Sequence, residues 1–238
     1  MTEPGRFLLL GSGEFEPWSA DAEQFALSGA AGDGSVVVMA TASGREGQAV
    51  FDRWTDMGLA HYASLDIPAS AVRVRDRPDA LAPAVADPID AASMVFFSGG
   101  SPAHLAATVV GTPVWDAVVR LLARGGVFAG CSAGAMVAGA DEAIGRRGHL
   151  PFPFASGLGL VHDTAFGVHW DALSGWWIRW LRDLAPRRLP RSVQFVGIAE
   201  HTAIATEGDR WRVFGDGVVE VRAGSRQSSF ATGETFPR

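Results

Sequence analysis

Four short apolar runs, each closed by small residues, constrain this chain more than any other feature. Phe7 to Leu10 runs into Gly11-Ser12-Gly13, Val36 to Ala40 into Thr41-Ala42-Ser43, Met94 to Phe97 into Ser98-Gly99-Gly100, and Val127 to Ala129 into Gly130. Runs this short, apolar on every residue and bounded by turn formers, read as strands buried on both faces, the mark of a parallel sheet. Helical patterns lie between them. Gln48 to Tyr62 is amphipathic, and Pro113 to Ala123 begins with Pro in a first-turn position and stops before Gly125-Gly126. Strand–helix–strand alternation with right-handed crossovers gives a doubly wound α/β fold. Ligands in such folds bind beyond the carboxyl ends of the strands, which is where the Gly-rich loops fall.

The second half changes character. Leu173 to Leu184 reads as a Trp-rich helix ending before Pro186. Gln194 to Ile198, Thr202 to Thr206, Arg210 to Phe214 and Val218 to Val221 read as strands, with hairpin turns at Gly208-Asp209 and Asp216-Gly217. Trp177 and Trp180 fall at helical spacing from Leu173, a stripe that suits core packing or a subunit interface. It leaves a homo-oligomer open, and a hydrophobic wall of a substrate cleft is the alternative. With no repeat or linker, the expectation is one domain over residues 1–238.

Composition narrows the chemistry. All twenty basic residues are Arg, and neither Lys nor Asn occurs. Schiff-base catalysis, a Ser–Lys dyad, a lysine-dependent P-loop and a Cys-His-Asn arrangement are therefore excluded. The single Cys131 allows no intramolecular disulfide. No pair of His residues has metal-ligand spacing, so no metal and no cofactor is expected. A net charge of −6 without a basic run argues against nucleic acid as the main partner. No run is long enough to span a membrane, and the acidic, short N-terminal stretch is unlike a signal peptide. The expectation is a soluble, cytoplasmic protein.

One pentapeptide carries a reaction. Gly130-Cys131-Ser132-Ala133-Gly134 is G-x-S-x-G between an apolar run and a segment able to open a helix. Small residues beside Ser132 allow a sharp turn that lifts its hydroxyl above the sheet, with the Ala133 amide and the helix N-terminus facing the place where negative charge would develop. Cys131 is the rival nucleophile, but it occupies the second position and not the apex. A neutral serine needs a base. His169 follows Ala165 to Val168, which reads as a strand, while His201 is the alternative. The orienting carboxylate is open between Glu200, Asp171 at H-x-acid spacing from His169, and the pair Asp141 and Glu142.

Gly130 to Ala135 resembles the G-x-S-A-G-A signature of the peptidase E and cyanophycinase family, serine hydrolases on a class I glutamine amidotransferase-like fold. Phe96 to Gly100, Val36 to Ser43, Gly157 to Leu160 with Val168-His169-Trp170, and Gly197 to Ala203 are similar to further landmarks of that family, in order from about residue 7 to 206. The resemblance implies Ser132, His169 and Glu200 as nucleophile, base and acid, and Gly100 and Ala133 as oxyanion-hole amides. The substrate would be a short peptide or small amide. Ser101, His104, Trp170 and His201 are candidate lining of its pocket. The chain order Ser, His, Glu differs from the Ser, acid, His order of α/β-hydrolases.

Polar positions that bind substrate in the family are replaced here. Ser101-Pro102 follows Gly100, Gly167-Val168 precedes His169, and Leu173-Ser174-Gly175 stands where cyanophycinases carry arginines. Cyanophycin is therefore not the expected substrate, and a non-catalytic binding protein on the same fold is the competing reading. Glutamine amidotransfer would require Cys at position 132.

Overall fold

Each of the four apolar runs forms a strand whose residues are almost all buried. They are β1 (Arg6–Leu10), β2 (Val36–Met39), β4 (Met94–Phe97) and β5 (Val127–Cys131), and a short β3 (Ala69–Ala71) joins them. The computed structural model describes residues 5–139, 157–172, 189 and 192–238. These five strands run parallel in the order β3-β2-β4-β5-β1. Seven helices are described in the first part of the chain: α1 (Ala20–Leu27), α2 (Gln48–Ser64), α3 (Arg77–Ala80), α4 (Asp87–Ala91), α5 (Pro102–Val109), α6 (Pro113–Ala123) and α7 (Ala133–Val137).

Alternation along the strands divides the core into two layers. Leu8, Leu10, Val36, Val38, Met94, Phe96, Val127 and Ala129 face α1 and Tyr62 of α2. Phe7, Leu9, Val37, Met39, Val95, Phe97 and Phe128 face the opposite way, toward α5, α6 and α7. Both faces of the sheet are thus covered, as near-continuous apolar runs require. Full burial of one such Val, Leu or Phe contributes about 1.5–3 kcal/mol, more than the ~1 kcal/mol span of strand propensities. That is why weak formers such as Ala129 and Gly130 still lie in β5. The helices start where their caps stand. Ser101 Oγ accepts from the His104 amide, and Thr112 Oγ1 from the Trp115 amide, each ahead of a Pro at the first helical position.

The later strands are β6 (Thr164–Gly167), β7 (Gln194–Ile198), β8 (Thr202–Glu207), β9 (Arg210–Gly215), β10 (Val219–Ala223), β11 (Arg226–Phe230) and β12 (Thr235–Pro237). Strands β8, β9 and β12 extend the parallel sheet beyond β1 in antiparallel fashion. Strands β6, β7, β10 and β11 form a second sheet in the order β11-β10-β7-β6, mostly antiparallel, whose Phe166, Val196, Ile198 and Val219 join the first sheet's core. The fold is doubly wound and mostly parallel, with antiparallel C-terminal strands.

Gly208-Asp209 closes the β8–β9 hairpin, where Glu207 pairs with Arg210. Asp216-Gly217 does not make a hairpin. It carries the chain from β9 in one sheet to β10 in the other, held by bonds from the Asp216 amide to the His201 carbonyl and from the Gly217 amide to Thr202 Oγ1. The sequence shows a turn there but not that its two strands part company. Strands β3, β11 and β12 carry no apolar periodicity and were not expected. The Trp-rich segment Leu173 to Leu184, with Asp141 and Glu142, lies outside the described residues.

Helix α7 sits so close to β4 that a Cβ at position 134 would overlap the Phe97 carbonyl. Gly134→Ala is expected to destabilise the protein by about 1–3 kcal/mol, the usual cost of overpacking. A lower denaturant midpoint with an unchanged m-value would show it, and an unchanged midpoint would refute the close approach.

Candidate active site

The chain leaves β5 at Cys131 and enters α7 at Ala133, with Ser132 as the pivot. Ser132 has φ +49° and ψ −108°, a conformation that L-residues with a side chain rarely adopt. Its neighbours make it possible. A Cβ at Gly130 would strike the backbone of Gly134, and one at Gly134 would strike β4, so both flanking glycines are required. The Ser132 amide is tied to the Leu10 carbonyl at 3.0 Å, which anchors the turn to β1.

The second sheet supplies the partners. His169 follows β6 with φ +51°, and Glu200 lies in the turn between β7 and β8. Ser132 Oγ is 3.0 Å from His169 Nε2, and His169 Nδ1 is 3.0 Å from Glu200 Oε1. With Nδ1–H donating to the carboxylate, Nε2 is left as the acceptor facing the serine hydroxyl. Both side chains are about 40% exposed, so the pair orients the ring more than it stabilises the fold. The β7–β8 turn reaches this place because Gly11, at the end of β1, leaves no room between the strand and the Ala199 carbonyl.

Two residues beside this row are fixed by their own contacts. Asp171 Oδ1 accepts the Glu200 amide at 2.7 Å, so its carboxylate holds the backbone of Glu200, and it is Glu200 that meets the ring. Trp170 is buried against Phe195 in a small cluster, packed over Gly167 and Gly197; a Cβ at Gly197 would collide with the indole and one at Gly167 with the Phe195 ring. Its Nε1–H donates to Glu220 Oε2 at 3.0 Å, and its amide to the Ile198 carbonyl. Trp170 thereby locks the segment that presents His169.

The other candidates stand apart from the row. Ser101 caps α5, and its amide donates to the Ala42 carbonyl at 2.8 Å. His104 is buried, with Nε2 2.8 Å from the Arg75 carbonyl, on a groove of about 480 Å³ shared with Gly44, Arg45, Arg77 and Thr108. His201 pairs with Glu16 at 3.3 Å and packs edge-on against Trp18. Among the described residues, no three His, Cys, Asp or Glu side chains gather as a metal-ligand set.

The amides around Ser132 are unevenly used. Ser98 donates to the Met39 carbonyl and Ser101 to the Ala42 carbonyl, but the Gly100 amide has no acceptor among the described residues. The Ala133 amide is in the first turn of α7, where a helix provides no acceptor. Gly99 donates to Glu14 Oε1 at 2.8 Å. Sequence reasoning missed Glu14. Its only signal was a carboxylate just past the Gly-Ser-Gly that closes β1.

A model of peptidase family S51 matches residues 7–214. The chain belongs to peptidase family S51. As a member of that serine-peptidase family it is 32% identical over 176 residues to cyanophycinases of Trichormus variabilis and a Nostoc species, covering 70% of this chain. The match spans 54% of those proteins, so the chain corresponds to about half their length. The structure of a peptidase from an acI-B1 Actinobacterium superposes with a TM-score of 0.85 at 27% identity, covering 100% of this chain and 98% of that one. A putative peptidase E protein from Listeria monocytogenes EGD-e shares the fold with a TM-score of 0.61 at 16% identity, covering 90% and 99% of the two chains.

Cys131 sits one residue from the elbow and is wholly buried. Burial raises its thiol pKa well above the ordinary value, and the nearby Glu14 carboxylate, which the thiol hydrogen-bonds, raises it further. A raised thiol pKa means the protonated, unreactive form at neutral pH. Native protein is expected to resist iodoacetamide at pH 8 and to take up one equivalent once unfolded in guanidinium. Rapid alkylation of the folded protein would contradict this environment.

Proposed function

We propose that this chain is a serine exopeptidase that hydrolyses an amide bond of short peptides through an acyl-enzyme on Ser132. The observation that carries the reading is the continuous row from Ser132 Oγ through the His169 ring to Glu200, with both steps at 3.0 Å. Contacts of this length suit a nucleophile, its base and the base's orienting acid. Membership of peptidase family S51 supports the same reaction class.

In the proposed reaction, Ser132 Oγ attacks the amide carbonyl carbon as its proton passes to His169 Nε2. The carbonyl oxygen takes up the electron pair and is met by the Gly100 and Ala133 amides. Collapse of the tetrahedral intermediate breaks the C–N bond, and the leaving amine receives the proton from His169. Water, deprotonated by the same ring, then attacks the acyl ester, releases the acid and returns the proton to Ser132. Glu200 stabilises the imidazolium in both halves. The small-residue rim at Gly99-Gly100 lets a substrate backbone approach closely.

A fluorophosphonate probe is expected to label Ser132, with labelling and peptide hydrolysis both abolished in Ser132→Ala. His169→Ala is expected to lower kcat/KM by roughly 10⁴-fold, and Glu200→Ala by roughly 10²–10⁴-fold. Asp171→Asn, which keeps an acceptor for the Glu200 amide, is expected to lose less than about tenfold. Peptide turnover by Ser132→Ala at the wild-type rate would end the proposal. A larger loss in Asp171→Asn than in Glu200→Ala would reassign the acid.

A further inference from the structure

We propose that Glu14 is a positioning residue, whose buried carboxylate anchors the Gly99 amide so that the next amide, Gly100, stays turned toward the substrate's carbonyl oxygen. The inference rests on the acyl-transfer reading of Ser132. Glu14 is only 5% exposed, and Oε1 accepts the Gly99 N–H at 2.8 Å. A bond from a backbone amide to a carboxylate is roughly twice as strong as one between neutral groups. The site of action is close: a Cβ built on Gly99 would lie 3.1 Å from Glu14 Oε1 and 3.9 Å from Ser132 Oγ.

The Gly99-Gly100 pair needs such an anchor. Gly gives a peptide unit more freedom than any other residue, and two in succession can turn the amide between them either way. The flanking amides of Ser98 and Ser101 are fixed to carbonyls of the β2 strand and the turn after it. Gly100, at φ +139°, is pressed against the Ala42 carbonyl. Among the described residues its N–H is the one amide in this stretch that meets no acceptor, so its direction depends on its neighbours. Glu14 is the neighbour that is a side chain.

Glu14 is itself held rigidly. Gly13 and Phe15 on either side have φ +68° and +64°, and the Phe15 ring packs on Phe96 with centroids 4.8 Å apart and on Tyr62 and His61. The strained loop is thus pinned by an aromatic cluster on the face of the sheet away from α7, and it delivers a carboxylate to the elbow. A carboxylate needed only for solubility would not be buried here, and one needed only for packing could be apolar.

The test compares phosphonylation of Ser132 by a fluorophosphonate across pH in the wild type, Glu14→Gln, Glu14→Asp and Glu14→Ala. Amide hydrogen exchange at Gly99 and thermal unfolding are measured on each protein. Labelling of the wild type at Ser132 belongs to the proposed function, and its absence would count against that reading by itself. The anchoring role predicts that Glu14→Gln, which keeps an acceptor in place, stays within about fivefold of wild type. Glu14→Asp, which withdraws the acceptor, and Glu14→Ala are expected to slow by roughly 10²-fold, the effect of losing one oxyanion donor. Their pH midpoint should not move, and Gly99 should exchange faster. If Glu14→Ala fails to fold, the ranking of Glu14→Gln above Glu14→Asp still decides. Equal rates in all folded variants, the opposite ranking, or a shifted midpoint with unchanged Gly99 exchange would overturn the proposal.

Discussion

Everything near the candidate site depends on one backbone pivot. Ser132 is held at φ +49° between a strand and a helix that touch so closely that Gly130 and Gly134, two positions away on either side, leave no room for a Cβ. A non-glycine residue in this region costs about 1–3 kcal/mol and persists only when its surroundings over-determine it. Here the surroundings are the buried strands β1, β4 and β5. The same turn that strains Ser132 lifts its hydroxyl clear of the sheet and opens α7 just behind it.

The partners come from a different sheet. His169 and Glu200 follow strands β6 and β7, which pair in parallel, so their loops emerge at the same end. That end is brought over β1 by the contact of Gly11 with the Ala199 carbonyl and by the bond from the Gly11 amide to the Thr202 carbonyl. The shared core of Phe166, Val196, Ile198 and Val219 with Phe7, Leu9 and Phe97 makes the sheets one packed body at this edge. Trp170 and Asp171 bond to the two loops that carry His169 and Glu200.

Much of this was legible in the sequence, and the limits are physical. Strands apolar on both faces announce themselves without alternation, so β1, β2, β4 and β5 were readable to within one or two residues. The elbow was readable because its glycines are demanded by sterics. Local pattern does not record which sheet a strand joins, so the turn at Asp216-Gly217 looked like a hairpin. It records still less about a side chain whose partner is distant. Glu14 and Gly99 are 85 positions apart, and nothing in either neighbourhood points to the other. Ser101 looked like a departure in a binding loop, but its hydroxyl caps α5.

The distribution of strain joins these observations. Among the described residues six non-glycine positions have positive φ: Phe15, Asp66, Ser132, Asp163, His169 and His201. The two Asp residues are of a type that tolerates this region in turns. The other four carry bulkier or functional side chains, and all lie in the loops that converge on Ser132. Phe15 follows the carboxylate on Gly99, Ser132 and His169 face each other, and His201 follows Glu200. An unstrained chain would be more stable by several kcal/mol on the scale of 1–3 per position. The cost is tolerated where Val, Leu and Phe are buried on both sides of a parallel sheet, and it falls on the loops around the elbow.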